Sequence, residues 1–259
     1  MFEPVNDLER SLMRAALNPS YRPQFYRDLL EADIFIINYA ESDSEEQNNT
    51  MSESFELKVP KIERNGQVWL PVFSSLQRLQ EFISSETAYV VLKGRDFFEL
   101  ARDVHIVLNP DSDYGKEFIP QEIERMLDGS IFQPDQRYID QEETAFLIGR
   151  PAVYPTSLVK ALCEYFAKNR FVNRAYLVQF YNQFYNPKSG EPPHLLIAID
   201  ASRDWERIVG DAGVISSEVM GKDDIVDFMR LDDSDFSQHI INSTRPIYQK
   251  SFLKKLFGY

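Results

Sequence analysis

The amino-acid sequence predicts an α+β protein of two lobes, and three observations carry that expectation. Segments with apolar residues at helical spacing are interleaved with short runs of branched and aromatic residues, the pattern of mixed helices and strands. Hydrophobic residues make up 43% of the 259-residue chain and aromatics 13%, enough for a sizeable core. The length suits one large domain or two ordinary ones at roughly 100–200 residues each. Finally, 131–143 (IFQPDQRYIDQEE) is polar and irregular between two such mixed halves. The reading is therefore an N-terminal α/β domain over 1–130, a linker over 131–143, and a C-terminal domain over 144–259.

In the first lobe, Val5, Leu8, Leu12, Ala15 and Ala16 keep helical spacing, and Pro19 stops that helix. A second helix runs Arg22–Leu30, with Pro23 in its first turn and Phe25, Leu29 and Leu30 inward. Ile34–Ile37 reads as a strand, and Glu41–Ser54, dense in acid, Ser and Asn, as a surface loop. Phe55–Val59 and Gln67–Phe73 are expected to pair through the Asn65-Gly66 turn. Ser74 or Ser75 caps a helix that carries Leu76, Leu79, Phe82 and Ile83 on one stripe. Ala88–Leu92 is a strand, Arg95–Ala101 a short helix, Val104–Leu108 a strand and Pro110–Gly115 a turn. Pro120 then starts a helix with Ile123, Met126 and Leu127.

The second lobe begins with a strand at Thr144–Gly149. A helix follows over Tyr154–Lys168, with Leu158, Ala161, Leu162, Tyr165 and Phe166 on one face. Val172–Tyr181 and His194–Ile199 make a hairpin. Asp204 is placed to cap a helix to about Ala212, and Asp224–Leu231 is the last strand. This β-α-β-β-α-β order predicts a split βαβ (ferredoxin-like) arrangement, an antiparallel sheet backed by two helices.

Chemistry-bearing patterns are sparse. His105, His194 and His239 are dispersed with no close second ligand, so no metal site is expected. Gly-x-Ser-x-Gly, GxxxxGK[ST] and GxGxxG do not occur in the sequence. The expectation is a protein with no catalytic residues, no cofactor and no enzyme activity. Cys163 lies on the apolar side of its helix and reads as a small buried hydrophobe. A single cysteine fits a reducing compartment. The acidic, polar start MFEPVNDLER and the lack of a run of ~18 apolar residues point to cytoplasmic residence without stable membrane anchoring.

The net charge of −13 excludes a general nucleic-acid binder, which needs a basic face to release counterions. Residues 1–130 hold 13 basic and 24 acidic side chains, net −11, against 15 and 17, net −2, for the remainder. Solubility explains such a surplus; so does an unidentified, basic protein partner steered by the acidic lobe. Two local features are candidate sites. Gly115 and Lys116 stand before the Pro120 helix, where an anion or small ligand could be held, although a solvated turn is the favoured reading. Phe252, Leu253, Lys254, Lys255, Leu256 and Phe257 form a basic-apolar tail at helical spacing. Packing back on the acidic body is favoured for the tail, ahead of partner binding; the basic patch is too small to anchor in a membrane alone. Oligomeric state is not legible in these patterns.

Four stretches, taken in order, resemble one family. Leu8–Leu30 (LERSLMRAALNPSYRPQFYRDLL), Leu70–Leu76 (LPVFSSL), Asn109-Pro110 to Gly115-Lys116-Glu117-Phe118, and the closing Pro246–Phe257 are similar to the SseB, or enhanced serine sensitivity, proteins. The resemblance spans both lobes and implies N-terminal and C-terminal SseB domains, whereas 41–54 and 131–143 match nothing in the family pattern. It further implies a bacterial, cytoplasmic protein with a serine-related phenotype and no established catalytic residue to carry over. The resemblance also implies related domains near toxin and secretion loci, where small acidic α/β proteins act as neutralising or adaptor partners. The leading expectation is thus a non-enzymatic protein-binding or regulatory module, possible as an adaptor or immunity-type protein. The alternative is a small-ligand sensor for an amino acid, linked to serine metabolism.

Overall fold

The structure, a computed structural model, describes residues 2–38, 59–64, 66–133, 146–182, 194–221 and 224–251. The chain divides into two compact units. One comprises Met1–Leu17 and Gln24–Asp128, the other Asn18–Pro23 and Gly129–Tyr259. The path thus leaves the first unit after its first helix, contributes six residues to the second, and returns.

In the first unit, α1 (Asp7–Leu17) buries Leu8, Leu12 and Ala15, one face at i, i+4 and i+7. Its start is fixed by a reciprocal arrangement close to a capping box. The Glu9 N–H donates to Asn6 Oδ1 (2.9 Å), while Glu9 Oε2 accepts the Val5 N–H (3.0 Å). α2 (Arg22–Glu31) buries Phe25, Tyr26, Leu29 and Leu30. β1 (Asp33–Ile37) follows, then the hairpin β2 (Ile62–Arg64) and β3 (Gln67–Val72), then α3 (Leu76–Phe82), β4 (Tyr89–Lys93) and α4 (Gly94–Leu100). β5 (Ile106–Leu108), β6 (Lys116–Phe118) and α5 (Pro120–Leu127) complete the unit. β1 pairs antiparallel with β4, and a second sheet has the order β2-β3-β5-β6, with β3 and β5 parallel. Phe35 and Phe73 exchange both backbone hydrogen bonds at 2.9 Å, which ties β1 to the end of β3. Phe73, Phe98 and Phe118 are fully buried, each worth roughly 1.5–3 kcal/mol relative to exposure.

The hairpin partner differs from the expectation. Arg64 and Gln67 are the first pair of the hairpin, so the incoming strand ends at Arg64; it is Ile62–Arg64. Gly66 has φ +74°, the left-handed region the turn requires. Phe55–Val59 lies outside the described residues apart from Val59, as does Glu41–Ser54. Lys116–Phe118, which follows the expected Pro110–Gly115 turn, is a strand.

The second unit holds β7 (Phe146–Gly149), α6 (Thr156–Lys168), β8 (Val172–Asn182), β9 (His194–Ala201), α7 (Trp205–Val219), β10 (Val226–Arg230), α8 (Asp235–Ser243) and β11 (Tyr248–Gln249). The α+β class holds, but the split βαβ arrangement does not. The strand order is β10-β9-β8-β11, with β7 also on β8. β7 pairs antiparallel with residues 179–182 of β8, β11 with 174–175, and β10 runs parallel to β9 after the α7 crossover. A split βαβ sheet places its first and third strands side by side, whereas here β7, β8, β9 and β10 lie side by side in sequence order.

The physical reason lies in the centre of the sheet. His194-Leu-Leu-Ile-Ala-Ile199 does not alternate, and it is buried on both faces. Leu195, Ile197 and Ile199 pack with Leu158, Leu162 and Ile208 from α6 and α7, whereas Leu196 and Ala198 pack with Ile240 of α8. Helices therefore cover both faces, and the second cover is α8. Its Ser234 cap and its Phe236, Ile240 and Ile241 spacing were present in the sequence but unread. α7 also runs past Ala212 to Val219, and Asp204 at its start is left-handed (φ 57°) without a side-chain capping bond.

Candidate functional site

The polar cluster with the deepest burial lies in the first unit, where three of the stretches singled out in the sequence converge. α1 supplies Glu9, the β3–α3 junction supplies Ser74, Ser75 and Arg78, and the end of β5 supplies Asn109. Glu9 is fully buried; Ser74 and Asn109 are 1% exposed, Ser75 and Arg78 6%.

Every acceptor position of the Glu9 carboxylate is used. Oε1 accepts from the Ser74 hydroxyl (2.9 Å) and the Ser75 hydroxyl (2.7 Å); Oε2 accepts from the Val5 N–H (3.0 Å) and Arg78 Nη2 (3.1 Å). Burial pushes this carboxyl up. The bonds from Val5, Ser75, Arg78 and Ser74 outweigh that and hold it below its ordinary value of 4.5. The Ser74 oxygen also accepts from Asn109 Nδ2 (2.8 Å), and the Ser74 N–H donates to Asn109 Oδ1 (2.9 Å). Asn109 takes the left-handed conformation (φ 50°) that Asn tolerates better than most residues. Ser75 caps α3 by accepting the Arg78 N–H (3.2 Å). The Arg78 guanidinium donates Nη1 to Glu81 (2.8 Å) and Nη2 also to the Glu3 carbonyl (2.5 Å), and it lies 4.1 Å from the centre of the Phe2 ring.

This arrangement sets what the cluster can do. A general base needs an open lone pair and a pKa near the working pH, and Glu9 offers neither. Ser74 and Ser75 face that saturated carboxylate, so nothing adjacent can take their protons at neutral pH. The contacts position α1, the β3–α3 junction, the end of β5 and the segment Phe2–Val5 against one another.

The residues singled out in the sequence fall as follows. Gly115 sits where a Cβ would come 2.7 Å from the Leu108 carbonyl oxygen and 2.8 Å from that of Asn109, so its role is close backbone approach. Lys116 Nζ is paired with Glu122 (2.8 Å) and lies 4.9 Å from the Phe118 ring centre. A carboxylate thus occupies the corner where an anion would sit. Phe252, Leu253, Lys254, Lys255, Leu256 and Phe257 lie outside the described residues. His105 contacts Gln67 and Trp69, and His194 Nδ1 is 2.8 Å from the buried Asp227. Among the described residues, no group of three or more His, Cys, Asp or Glu could hold a metal, and no helix is long and apolar enough to cross a membrane. Burial, followed by Glu164, pushes the Cys163 thiol up, and its Sγ points at the Ile247 carbonyl (3.2 Å).

Glu9 and Arg78 escaped the sequence reading. Each is a charged residue beside an apolar stripe, which ordinarily means a solvated flank. The available signal was spacing: Asn6-x-x-Glu9 and Ser75-x-x-Arg78 each put a capping residue one helical turn before the charge.

Residues 8–125 match the SseB protein N-terminal domain, and 141–250 match the SseB protein C-terminal domain. The chain is similar to Protein SseB of Escherichia coli (strain K12) and to Protein SseB of Shigella flexneri. Each is 27% identical over 253 residues, covering 96% of this chain and 94% of the relative. No solved structure matches it. With both domain models present in order along nearly the whole chain, the protein belongs to the SseB family.

Proposed function

We propose that this SseB-family chain is a non-enzymatic protein-binding module whose acidic N-terminal part receives a basic partner, in an adaptor or immunity-type role. The observation that carries the reading is how charge is distributed in the first unit. Five of its cations are paired with nearby carboxylates: Arg10 with Asp7, Arg64 with Asp111 and Glu117, Arg78 with Glu9 and Glu81, Lys93 with Asp33, and Lys116 with Glu122. Exposed carboxylates remain in surplus, among them Glu63, Glu86, Asp96, Glu99, Asp103 and Glu124. Such a field accelerates encounter with a positive surface and repels a like-charged one. The saturated Glu9 cluster adds support, because its polar groups hold backbone in place and leave no reacting atom open. Cytoplasmic residence belongs to the same reading and draws on the single cysteine, which suits a reducing compartment.

The test is affinity capture of the tagged full chain from cell extract, at low and at high salt. A stoichiometric partner rich in Lys and Arg, retained at 50 mM salt and weakened about tenfold or more by 300 mM, is the expected result. Failure to recover any stoichiometric partner at low salt overturns the proposal. A melting temperature raised by millimolar amino acid, serine included, would instead favour a small-ligand sensor.

A further inference from the structure

We infer that Phe2–Val5 occupies a peptide-recognition site as an internal ligand, and that an extended partner segment with an aromatic residue in the place of Phe2 exchanges with it. The inference rests on the protein-binding reading and deepens it by naming the site and the chemistry of its guest.

The segment is held at three of its residues, and it carries no helix or strand. The Phe2 ring lies over the Arg78 guanidinium (4.1 Å) and meets Tyr114 edge-on, with centroids 5.0 Å apart. One residue on, the Glu3 carbonyl accepts from Arg78 Nη2 (2.5 Å). Two residues further, the Val5 N–H donates to Glu9 Oε2 (3.0 Å). Apart from the aromatic ring, everything read is main chain. The side chains of Glu3 and Val5 face solvent, Val5 being 49% exposed. Such a mode selects one aromatic anchor and an extended backbone and tolerates variety elsewhere, as in other main-chain recognition of peptides.

The receiving side is built independently of its occupant. Arg78 and Glu9 are fixed by Ser74, Ser75 and Glu81, and Ser74 by Asn109. A fixed, buried pair of opposite charges, one offering donors and the other acceptors, suits a main chain that presents a carbonyl and, two residues on, an N–H. The guanidinium also has a donor to spare: Arg78 Nε is buried with no hydrogen-bond partner among the described residues. An incoming segment with one more acceptor would satisfy it, which the resident segment does not. That gives a guest a contact the internal ligand lacks.

The experiment uses the full chain with the resident segment loosened in two separate ways. Phe2→Ala removes the anchor, and Val5→Pro removes the N–H that Glu9 accepts at a position that is 49% exposed. Binding of a fluorescent peptide, Met-Phe-Glu-Pro-Val-Asn, is followed by polarisation, with circular dichroism as the check of fold. Each folded variant should bind it at least tenfold more tightly than the unaltered chain, and Tyr114→Ala in the Phe2→Ala background should reverse most of that gain. The same peptide with alanine for phenylalanine should not bind. Equal binding by variant and unaltered chain, or binding that ignores the phenylalanine, overturns the inference. So does loss of the folded state in both variants, which would make the segment a core element rather than an exchangeable ligand. Capture of a basic partner by the intact chain is independent of this result, so the site can fail while the protein-binding reading stands.

Discussion

Glu9 is an ion in a place where ions are costly, and its four donors are what make it tolerable. Glu9→Gln keeps the shape but removes the negative charge beside Arg78 and turns one acceptor into a donor. Breaking a buried pair in this way costs roughly 3–5 kcal/mol, to be read as a lower denaturant midpoint of the full chain. The carboxyl titrates below its ordinary 4.5 in the folded protein, so its contribution is complete above the unfolded value and disappears as pH falls through the folded one. Unfolding midpoints measured downward from pH 6 should therefore decline below about 4.5 more steeply for the unaltered chain than for Glu9→Gln. Equal slopes would show that Glu9 carries no such linkage. Sequence reasoning reached the neighbours of this residue and not the residue itself. Ser74 and Ser75 announce a cap by type, whereas a glutamate on a helix announces only solvent until something is known to lie opposite it.

At the scale of elements, legibility followed how local the cause is. α1, α2, α3 and α5 are specified by their own stripes and punctuation, Pro19, Ser75 and Pro120 among them, and each was readable where it stands. The order of strands was not. Burial of β9 on both faces depends on α8, some forty residues later, and the short β6 exists only because β5 offers it an edge. The loop between β5 and β6 gives a direct check. A methyl at Gly115 would press on the carbonyl oxygens of Leu108 and Asn109 at 2.7 and 2.8 Å, both of them backbone atoms that cannot swing aside. Gly115→Ala should destabilise the chain by about 1–3 kcal/mol, measured by thermal or chemical unfolding. An unchanged midpoint would show that the loop relaxes freely and that the glycine serves something else.

At the scale of the whole molecule, the two units do not correspond to two continuous stretches of sequence. Asn18–Pro23 belongs to the second unit, and its contacts there are specific. Asn18 donates to Glu164, Lys168 donates to the Ser20 hydroxyl (2.7 Å) and sits 3.3 Å from the centre of the Tyr21 ring, and Arg22 pairs with Glu218 (2.5 Å). No composition shift marks the detour, because a short 3-10 turn and the first two residues of α2 look alike in sequence whichever unit they join. Residues 129–259 produced alone should consequently melt below the second unit of the full chain. A peptide of residues 16–25 should restore part of the loss in a saturable manner, and a melting temperature indifferent to it would show that the loop contributes nothing. The detour also imposes an order in time. At a synthesis rate of about 5–20 residues per second, Asn18–Pro23 leaves the ribosome roughly 10–40 s before α7 is finished. The first unit can close while the surface that will receive its borrowed turn does not yet exist, so the second unit's first-made piece is among the last to find its place.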